Sequence, residues 1–400
     1  MKNWKWNIII FLSSQAITLF GSMLVQYAVQ WHITLTSQSG VAMMLFSISA
    51  AIPMFLISPF AGVWADRYNK KRLINIADAA IAVVTLVMAA LFSLGFEYIA
   101  LLLVCVAARG FGQGVQTPAV SSLLPEIVSE EHLMRINGIN SSIQSAAMIL
   151  SPIAGAALLA LLPLGHILFI DVITAAIGIS LLAFFVKTPK KEKPTGQKSA
   201  WSDMVEGLRY IRNHAFIKKL IIVSSLTSLF VAPAAILTPL QTVRDFGEEK
   251  WRLVAIELVF FTGMILGGAL IGAWGGFKNK SYTMAIANTL SASAIIGLGL
   301  LGNFTLYLIC MGIIGFGVSV FNAPMMTVMQ IKIEAEYMGR VFAVMTMLSS
   351  IMMPIGMIAW GPLADLVPID WLLIVSGVGI LTIGGMFVWS RTLREAGRDG

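Results

Sequence analysis

Four charged side chains lie inside or near long apolar segments, where a charge is costly. They are Arg109, Glu257, Asp171 and Asp78. A carboxylate in a low-dielectric environment loses hydration, and taking up a proton removes the cost of burying its charge. We therefore expect the three carboxylates to be candidates for proton coupling. A structural role near a helix end is an open alternative for Asp171 and Asp78, as is a surface pair with Arg252 for Glu257.

Arg109 lies about midway along the fourth apolar segment, so its charge must be offset by a carboxylate or by polar groups. Polar side chains at helical spacing accompany it. The candidates for lining a cavity are Arg109, Gln15, Gln26, Gln30, Gln113, Gln116, Asn140 and Gln144. Polar groups avoid lipid, so these faces must meet protein or water. They either line a central cavity or form hydrogen bonds that only hold helices together.

The apolar segments that carry these residues are long enough to cross a membrane. The chain is 58% hydrophobic and 12% charged, whereas soluble domains carry about 25% charged residues. Blocks of 18 or more apolar residues indicate membrane helices. We predict twelve of them, at 8–35, 40–64, 73–95, 98–119, 138–162, 165–187, 217–240, 251–275, 281–302, 304–328, 339–363 and 369–390. The first block is too long for a signal-peptide core, so we expect it to be retained.

The predicted fold class is an all-α integral membrane protein with two six-helix halves. The halves are residues 1–187 and 217–400, and residues 188–216 form a polar linker between them. Within the linker, 201–214 is amphipathic, which is typical of a short helix on the membrane surface, although a plain solvated linker fits equally. With the amino terminus in the cytoplasm, 23 of the 27 lysines and arginines fall inside and 3 outside. The positive-inside rule therefore places both termini in the cytoplasm.

A charged hairpin joins the second and third predicted helices. It reads Gly62-Val63-Trp64-Ala65-Asp66-Arg67-Tyr68-Asn69-Lys70-Lys71-Arg72, and a weaker copy, Gly272-Ala273-Trp274-Gly275-Gly276-Phe277-Lys278-Asn279-Lys280, follows 210 positions later. A repeated hairpin indicates a chain built from two related halves, which is typical of transporters.

The first hairpin resembles the loop signature of the major facilitator superfamily, Gly-x-Leu-Ala-Asp-Arg-x-Gly-Arg-Arg. Trp64 replaces the Leu and Asn69 replaces the Gly, a mild change because Asn tolerates a left-handed backbone. The resemblance implies a gating motif made of Gly62, Asp66, Arg67, Lys70, Lys71 and Arg72. It also implies that Asp66 sits against the start of the eleventh helix, near Gly339, and holds a cytoplasmic gate closed.

A second set of motifs is similar to macrolide-efflux-type exporters, the third group of drug:proton antiporters. It comprises Arg109-Gly110-Phe111-Gly112, Thr117-Pro118-Ala119, Leu124-Pro125-Glu126-Ile127-Val128, Ser141-Ser142-Ile143-Gln144-Ser145, Ser151-Pro152-Ile153 and Ile170-Asp171-Val172. Pro152 and Gly155 in the first half and Pro354 and Gly356 in the second are candidate helix hinges. The first pair resembles the antiporter signature in part, because Ser151 and Ala156 stand where Gly is usual.

These features favour a secondary exporter of hydrophobic or amphipathic compounds, of drug or macrolide type, which exchanges them for protons by alternating access in the cell membrane. A dedicated exporter of one metabolite, such as a siderophore, is the alternative. An enzyme is disfavoured because the histidines are scattered, and we assign no catalytic residue and no metal site. The chain has no phosphate-binding loop, so we expect no cofactor beyond a proton gradient. The expected partners are a small-molecule substrate and the lipid bilayer, without nucleic acid, and the expected state is a monomer.

Overall fold

The computed structural model describes residues 4–128, 130–187 and 200–397, which are almost entirely helical. In chain order the helices are α1 (Trp4–Ser37), α2 (Gly40–Arg67), α3 (Lys70–Ser93), α4 (Ile99–Ile127), α5 (Glu130–Leu161), α6 (Leu164–Ser180), α7 (Ala200–Asn213), α8 (Ala215–Ile236), α9 (Thr238–Gln241), α10 (Lys250–Trp274), α11 (Lys280–Leu300), α12 (Phe304–Lys332), α13 (Ala335–Leu366), α14 (Ile369–Trp389) and α15 (Arg391–Ala396). Single π-helical turns, Leu181–Phe185 and Thr242–Phe246, continue α6 and α9.

Within the described ranges, twelve helical segments are long and apolar enough to cross a membrane, which confirms the predicted fold class. Several helices extend beyond the apolar blocks. For example, α5 begins at Glu130 rather than 138, and α4 continues past Pro118 and Pro125 to Ile127. Apolar blocks mark only the part of a helix that lipid covers. A helix pairs its backbone N–H and C=O groups within itself, so it can continue beyond the lipid into water. The sequence therefore located the spans and underestimated the helices.

By its contacts the chain divides into two units. The first unit comprises Met1–Ile33 and Leu45–Ala200, and the second comprises Thr34–Met44 and Trp201–Gly400. The predicted boundaries of the two halves and their linker stay a prediction, and residues 188–199 of that linker lie outside the described residues.

In the first unit, α3 packs against α4 and α6. Glycines bring α4 close to α2, since a Cβ atom on Gly110 would lie 2.4 Å from the carbonyl oxygen of Ala50 and one on Gly114 would lie 2.6 Å from that of Met54. No larger side chain fits at such a backbone contact, as expected of a Gly-x-x-x-Gly pair. This packing fixes the position of the α4 residue just before the first glycine, Arg109.

In the second unit, α10 packs on α12, and α11 packs on α12 and α14. Gly263 and Gly267 provide the α10–α12 contact, because a Cβ atom on either would lie within 2.4 Å of a carbonyl oxygen of α12. The next candidate pair, Gly268 and Gly272, faces open space, with nothing within 4 Å of the added Cβ atom. The spacing alone could not tell the packed pair from the unpacked one.

The helix predicted in the linker is present as α7, and one of its faces packs on protein. Tyr210 and Ile211 are buried in the core of the second unit. The Tyr210 ring stacks on that of Tyr337 with centroids 4.4 Å apart, and Glu206 lies 3.3 Å from the guanidinium of Arg340. Both partners belong to the first turns of α13. Tyr210 and Ile211 show that α7 is not fully solvated, and its position on the membrane surface stays a prediction.

Candidate functional site

Arg109 and Asp171 form a buried ion pair in the core of the first unit. Arg109 lies on α4 and is 4% exposed, and Asp171 lies on α6 and is 1% exposed. The guanidinium contacts Oδ2 of the carboxylate directly. Burial of two charges costs several kcal/mol each, which only close contact and additional hydrogen bonds repay. The cation of α4 is thus offset by one of the three candidate carboxylates, rather than by glutamine.

Hydrogen bonds from two further helices complete the pair. Ser22 of α1 donates to Asp171 Oδ1 at 2.9 Å, and the Thr85 hydroxyl of α3 lies 3.0 Å from Oδ2. Arg109 also donates to Thr85 Oγ1 and, at 3.3 Å, to the carbonyl oxygen of Ser22. Four helices therefore converge on one carboxylate. Protonation of Asp171 would remove the charge that balances Arg109 and would weaken contacts among all four.

Asp78 lies on α3 two turns before Thr85, and it is 6% exposed. Among the described residues it has no hydrogen-bond partner, unlike Asp171. A buried carboxylate without partners loses its hydration and gains no hydrogen bond in return, which is unfavourable while it is charged. The first unit therefore holds two buried carboxylates of different kinds, one paired with an arginine and one unpartnered within the part of the chain described.

Several predicted cavity residues meet around the ion pair. Gln26 of α1 and Gln113 of α4 line, with Arg109, a small cavity of about 10 Å³. One turn further along α4, Gln116 donates to Gln15 at 3.2 Å, and Nε2 of Gln15 has no acceptor among the described residues. The polar faces of α1 and α4 therefore have both roles that the sequence allowed. Gln15 and Gln116 join the two helices by a hydrogen bond, and Gln26 and Gln113 line a cavity.

The remaining predicted cavity residues lie apart from this cluster. Gln30 is partly buried near the end of α1, Asn140 is partly buried on α5, and Gln144 of α5 is exposed. No described contact joins the α5 pair to the ion pair. Their role in a cavity stays a prediction.

Glu257 lies on α10 in the second unit, partly buried and without a hydrogen bond among the described residues. The surface pair with Arg252 is not formed. Instead, Arg252 contacts Glu249 at 3.0 Å and places its guanidinium over the rings of Trp251 and Phe304. Helix geometry explains the choice, since partners three positions apart share a face and partners five apart do not.

The charged hairpin between α2 and α3 anchors the ends of two other helices. Lys70 donates to the carbonyl oxygen of Ser122 at 3.0 Å and pairs with Glu126 at 2.8 Å, in the last turns of α4. Lys71 donates to the carbonyl oxygens of Ala183 and Val186 at 2.8 and 2.7 Å, where α6 and its π turn end. Cations are favoured at helix carboxyl ends, which expose unpaired carbonyl groups.

Asn69, which replaces the usual glycine, caps α3 by accepting a hydrogen bond from the backbone of Arg72. Its φ is −67°, so the left-handed conformation that asparagine tolerates is not used here. Gly62 has nothing within 4 Å of an added Cβ atom, and Arg67 and Arg72 are exposed. The side chain of Asp66 lies outside the described residues, so its gating contact stays a prediction.

The four candidate hinge residues occupy matching places in α5 and α13. Pro152 and Pro354 lie inside these helices. A Cβ atom on Gly155 would lie 3.1 Å from the carbonyl oxygen of Leu24 in α1, and one on Gly356 would lie 2.8 Å from that of Leu229 in α8. Both glycines thus mark close helix contacts, and a hinge function stays a prediction.

A larger cavity, of about 370 Å³, lies inside the second unit between α8, α10, α11, α12, α13 and α14. Its apolar surface includes Phe260, Phe321, Met325, Met345 and Met353. Hydroxyl and amide groups are interspersed, among them Ser291, Ser349 and Asn322. No charged side chain of the described residues lines it. Such a surface suits an amphipathic ligand, with flexible methionines that adapt to its shape.

The charged and glutamine-rich faces of the sequence do not indicate this cavity, because neither charges nor glutamines among the described residues line it. A weaker signal was present. Ser224, Thr227 and Ser228 are spaced so that they share a face of α8, and Asn288 and Asn322 are amides inside the apolar blocks of α11 and α12. Small hydroxyls in membrane helices usually bond to their own backbone, as Thr227 and Ser228 do here, so they are a weak signal from sequence.

Twelve candidate spans among the described residues, repeated hairpins and a buried polar cluster are typical of secondary transporters. Residues 7–357 match the Major Facilitator Superfamily. The chain belongs to this family of transporters, and it is not an enzyme.

Among characterised relatives, the chain is 27% identical over 385 residues to macrolide efflux protein A of Streptococcus pyogenes, covering 95% of each chain. It is 25% identical over 363 residues to the multidrug efflux pump Tap of Mycobacterium tuberculosis, covering 86% of this chain and 84% of that one. The predicted resemblance to macrolide-efflux-type transporters is therefore confirmed.

Solved structures share the fold at low sequence identity. A bacterial homologue of the human lysosomal transporter Spinster, in an inward-facing and unoccupied conformation, has a TM-score of 0.75 at 14% identity and 99% coverage of both chains. A bacterial homologue of the iron transporter ferroportin has a TM-score of 0.70 at 16% identity, covering 96% of this chain and 98% of that one. These likenesses support the architecture alone.

Proposed function

We propose that this transporter exports hydrophobic or amphipathic small molecules, of drug or macrolide type, in exchange for protons. The observation that carries the proposal is the uncharged cavity of the second unit, whose apolar walls and scattered polar groups suit such compounds. The relatives named for macrolide and multidrug efflux support the direction and the substrate class.

The first unit holds two of the three candidate carboxylates for proton coupling, Asp171 and Asp78. Proton uptake by Asp171 would separate it from Arg109, whose guanidinium would keep Thr85 and the Ser22 carbonyl group as its partners within the described part of the chain. Contacts from α1, α3 and α4 depend on that carboxylate, so its charge can bias the packing of all three. Asp78, without a described partner, is a second group whose charge a proton would neutralise.

The proposed cycle is alternating access in the cytoplasmic membrane, with both termini inside the cell and the protein acting as a monomer. The proton gradient drives it, without a bound cofactor. The transported molecule and the lipid bilayer are its partners, and nucleic acid is not.

The test is transport by purified protein in proteoliposomes under an imposed pH gradient, with a panel of macrolides, other amphipathic drugs and siderophores. We expect uphill movement of macrolides or drugs that a protonophore abolishes. Transport of one siderophore alone would favour the dedicated exporter, and substrate accumulation unaffected by the protonophore would contradict proton coupling.

The cavity is tested by filling it. Met345→Trp should place a large ring in the cavity and weaken substrate affinity by about tenfold or more. The affinity is measured by quenching of tryptophan fluorescence or by equilibrium binding. Met386 of α14 is exposed and does not line the cavity. Met386→Trp is therefore the matched control and should bind normally. An equal loss of substrate binding in both variants, or no loss in either, would show that the cavity is not the binding site.

A further inference from the structure

The segment Thr34–Met44, which joins α1 to α2, has its contacts within the second unit. Its closest contact is between two glycines. A Cβ atom on Gly40 would lie 2.2 Å from the carbonyl oxygen of Gly361, and one on Gly361 would lie 2.8 Å from that of Gly40. The first residue of α2 therefore touches the backbone of α13 near its last turn.

The carboxylate of Asp365 caps the start of α2. Its Oδ1 accepts from the backbone N–H of Gly40 at 2.7 Å, and its Oδ2 accepts from that of Val41 at 2.9 Å and from the Ser39 hydroxyl at 2.7 Å. The first backbone N–H groups of a helix have no partner inside the helix, and their positive potential attracts an anion. The cap comes from a residue more than 320 positions away in the chain.

Arg244, in the π turn after α9, closes the arrangement. Its Nη2 lies 2.9 Å from Asp365 Oδ1, and its guanidinium donates to the carbonyl oxygens of Ala364, at 2.6 Å, and Gln38. Gln38 has a φ of +46°, which a side chain rarely adopts, and it donates to Glu248 at 2.6 Å. A strained residue held by several contacts is typical of a site that changes conformation.

The exposure of the pair indicates that this arrangement can open. Arg244 and Asp365 are 28% and 27% exposed, so water can replace each contact. Gly361-x-x-Ala364-Asp365 at the end of α13 also repeats the Gly62-x-x-Ala65-Asp66 pattern at the end of α2. The recurring pattern ends with an aspartate in the last turn of a long helix, and in α13 that aspartate caps another helix.

We propose that Asp365 and Arg244 form a clasp that holds the start of α2 on α13 and releases it during transport. Asp365 is the anion that caps α2, and Arg244 orients that anion. The existence of the clasp rests on the contacts alone, and its role in a transport cycle rests on the proposed function. By the distribution of charge along the chain, the clasp lies at the outer end of the protein.

The test is hydrogen–deuterium exchange of the full-length protein in nanodiscs, followed in peptides that cover residues 36–45. Asp365→Ala should raise exchange of the Gly40 and Val41 amides about fivefold, the factor for losing a helix cap of about 1 kcal/mol. Arg244→Gln should raise it less, because the carboxylate remains. Glu249→Gln removes the neighbouring ion pair with Arg252 and should leave exchange unchanged. The reversed pair, Asp365→Arg with Arg244→Asp, should not restore protection, because a cation cannot cap a helix start.

Unchanged exchange in both clasp variants would overturn the proposal, as would an equal rise in α10 and α12 peptides. Transport measured on the same samples separates this proposal from the proposed function. Raised exchange in variants of a protein that transports no tested compound would retain the clasp and reject the function. Normal proton-driven transport by Asp365→Ala, with raised exchange, would reject the role of the clasp in the cycle.

Discussion

The two units place different chemistry at matching positions of related helices. α3 begins at Lys70 and α11 at Lys280, and the eighth residue after each start is Asp78 or Asn288. Likewise, α6 begins at Leu164 and α14 at Ile369, and the seventh residue after each start is Asp171 or Ser376. Asp78 and Asp171 of the first unit thus correspond to neutral polar groups in the second.

The neutral groups of the second unit join helices by hydrogen bonds, as Asp171 does in the first unit and Asp78, among the described residues, does not. Ser376 donates to the carbonyl oxygen of Phe230 in α8, much as Asp171 is joined to Ser22 in α1. Asn288 donates to the carbonyl oxygen of Ile380 at 2.8 Å. Neutral hydrogen bonds therefore suffice to hold helices together at these positions. The charges of the first unit are not needed for packing, which supports a functional role for them.

Removal of Arg109 should have the largest effect. Arg109→Ala leaves Asp171 buried without its cation, which should lower the free energy of unfolding by about 3–5 kcal/mol and abolish transport. Arg109→Lys should recover activity poorly, because the planar fork is lost. The neutral pair Arg109→Gln with Asp171→Asn imitates the second unit, so it should regain stability without proton-driven transport.

The measurements are unfolding in detergent and transport in proteoliposomes, with the exposed Arg135→Ala of α5 as the control for surface charge. Normal proton-driven transport by the neutral pair would show that the ion pair is only structural. The comparison between units would then lose its functional meaning.

The next effect concerns which unit carries the proton. Asp78→Asn makes α3 resemble α11, and it should leave stability unchanged or higher because no described partner is lost. Glu257→Gln likewise replaces a carboxylate of α10 with a neutral amide. We expect one of these variants to lose uphill transport driven by a pH gradient while still exchanging substrate down its own gradient. If both continue to concentrate substrate, the coupling proton belongs to Asp171.

The sequence located the spans and predicted that the charge of Arg109 must be offset, because lipid imposes strict rules on long apolar segments and on charges inside them. It could not predict that Asp171 is the partner of Arg109, since the two are 62 positions apart and only packing brings them together. The clasp at Asp365 escaped notice for the same reason. The uncharged cavity was hidden because its lining resembles ordinary core residues.

The smallest effect should distinguish the two hairpins. Lys71 donates to two carbonyl groups at the end of α6. The side-chain ammonium of Lys280, at the start of α11, donates among the described residues to the carbonyl oxygen of Gly275 in its own hairpin. Lys71→Met keeps the length of the side chain and removes the cation, and we expect a loss of about 1 kcal/mol, in the range for a partly buried cation at a helix end. Lys280→Met should change stability by less than about 0.5 kcal/mol, because its contact is exposed and local.

The measurement is the midpoint of thermal unfolding for both variants in the same detergent, with transport recorded in parallel. The second hairpin uses neutral groups for its distant contacts, since Asn279 and Ser281 bond to the backbone of α15 at 3.0 and 2.6 Å. A cation is therefore needed only where a hairpin must hold the carboxyl end of a membrane helix. Equal destabilisation by Lys71→Met and Lys280→Met would mean that the hairpins are equivalent anchors, and the cations of the first would then have to be explained by topology alone.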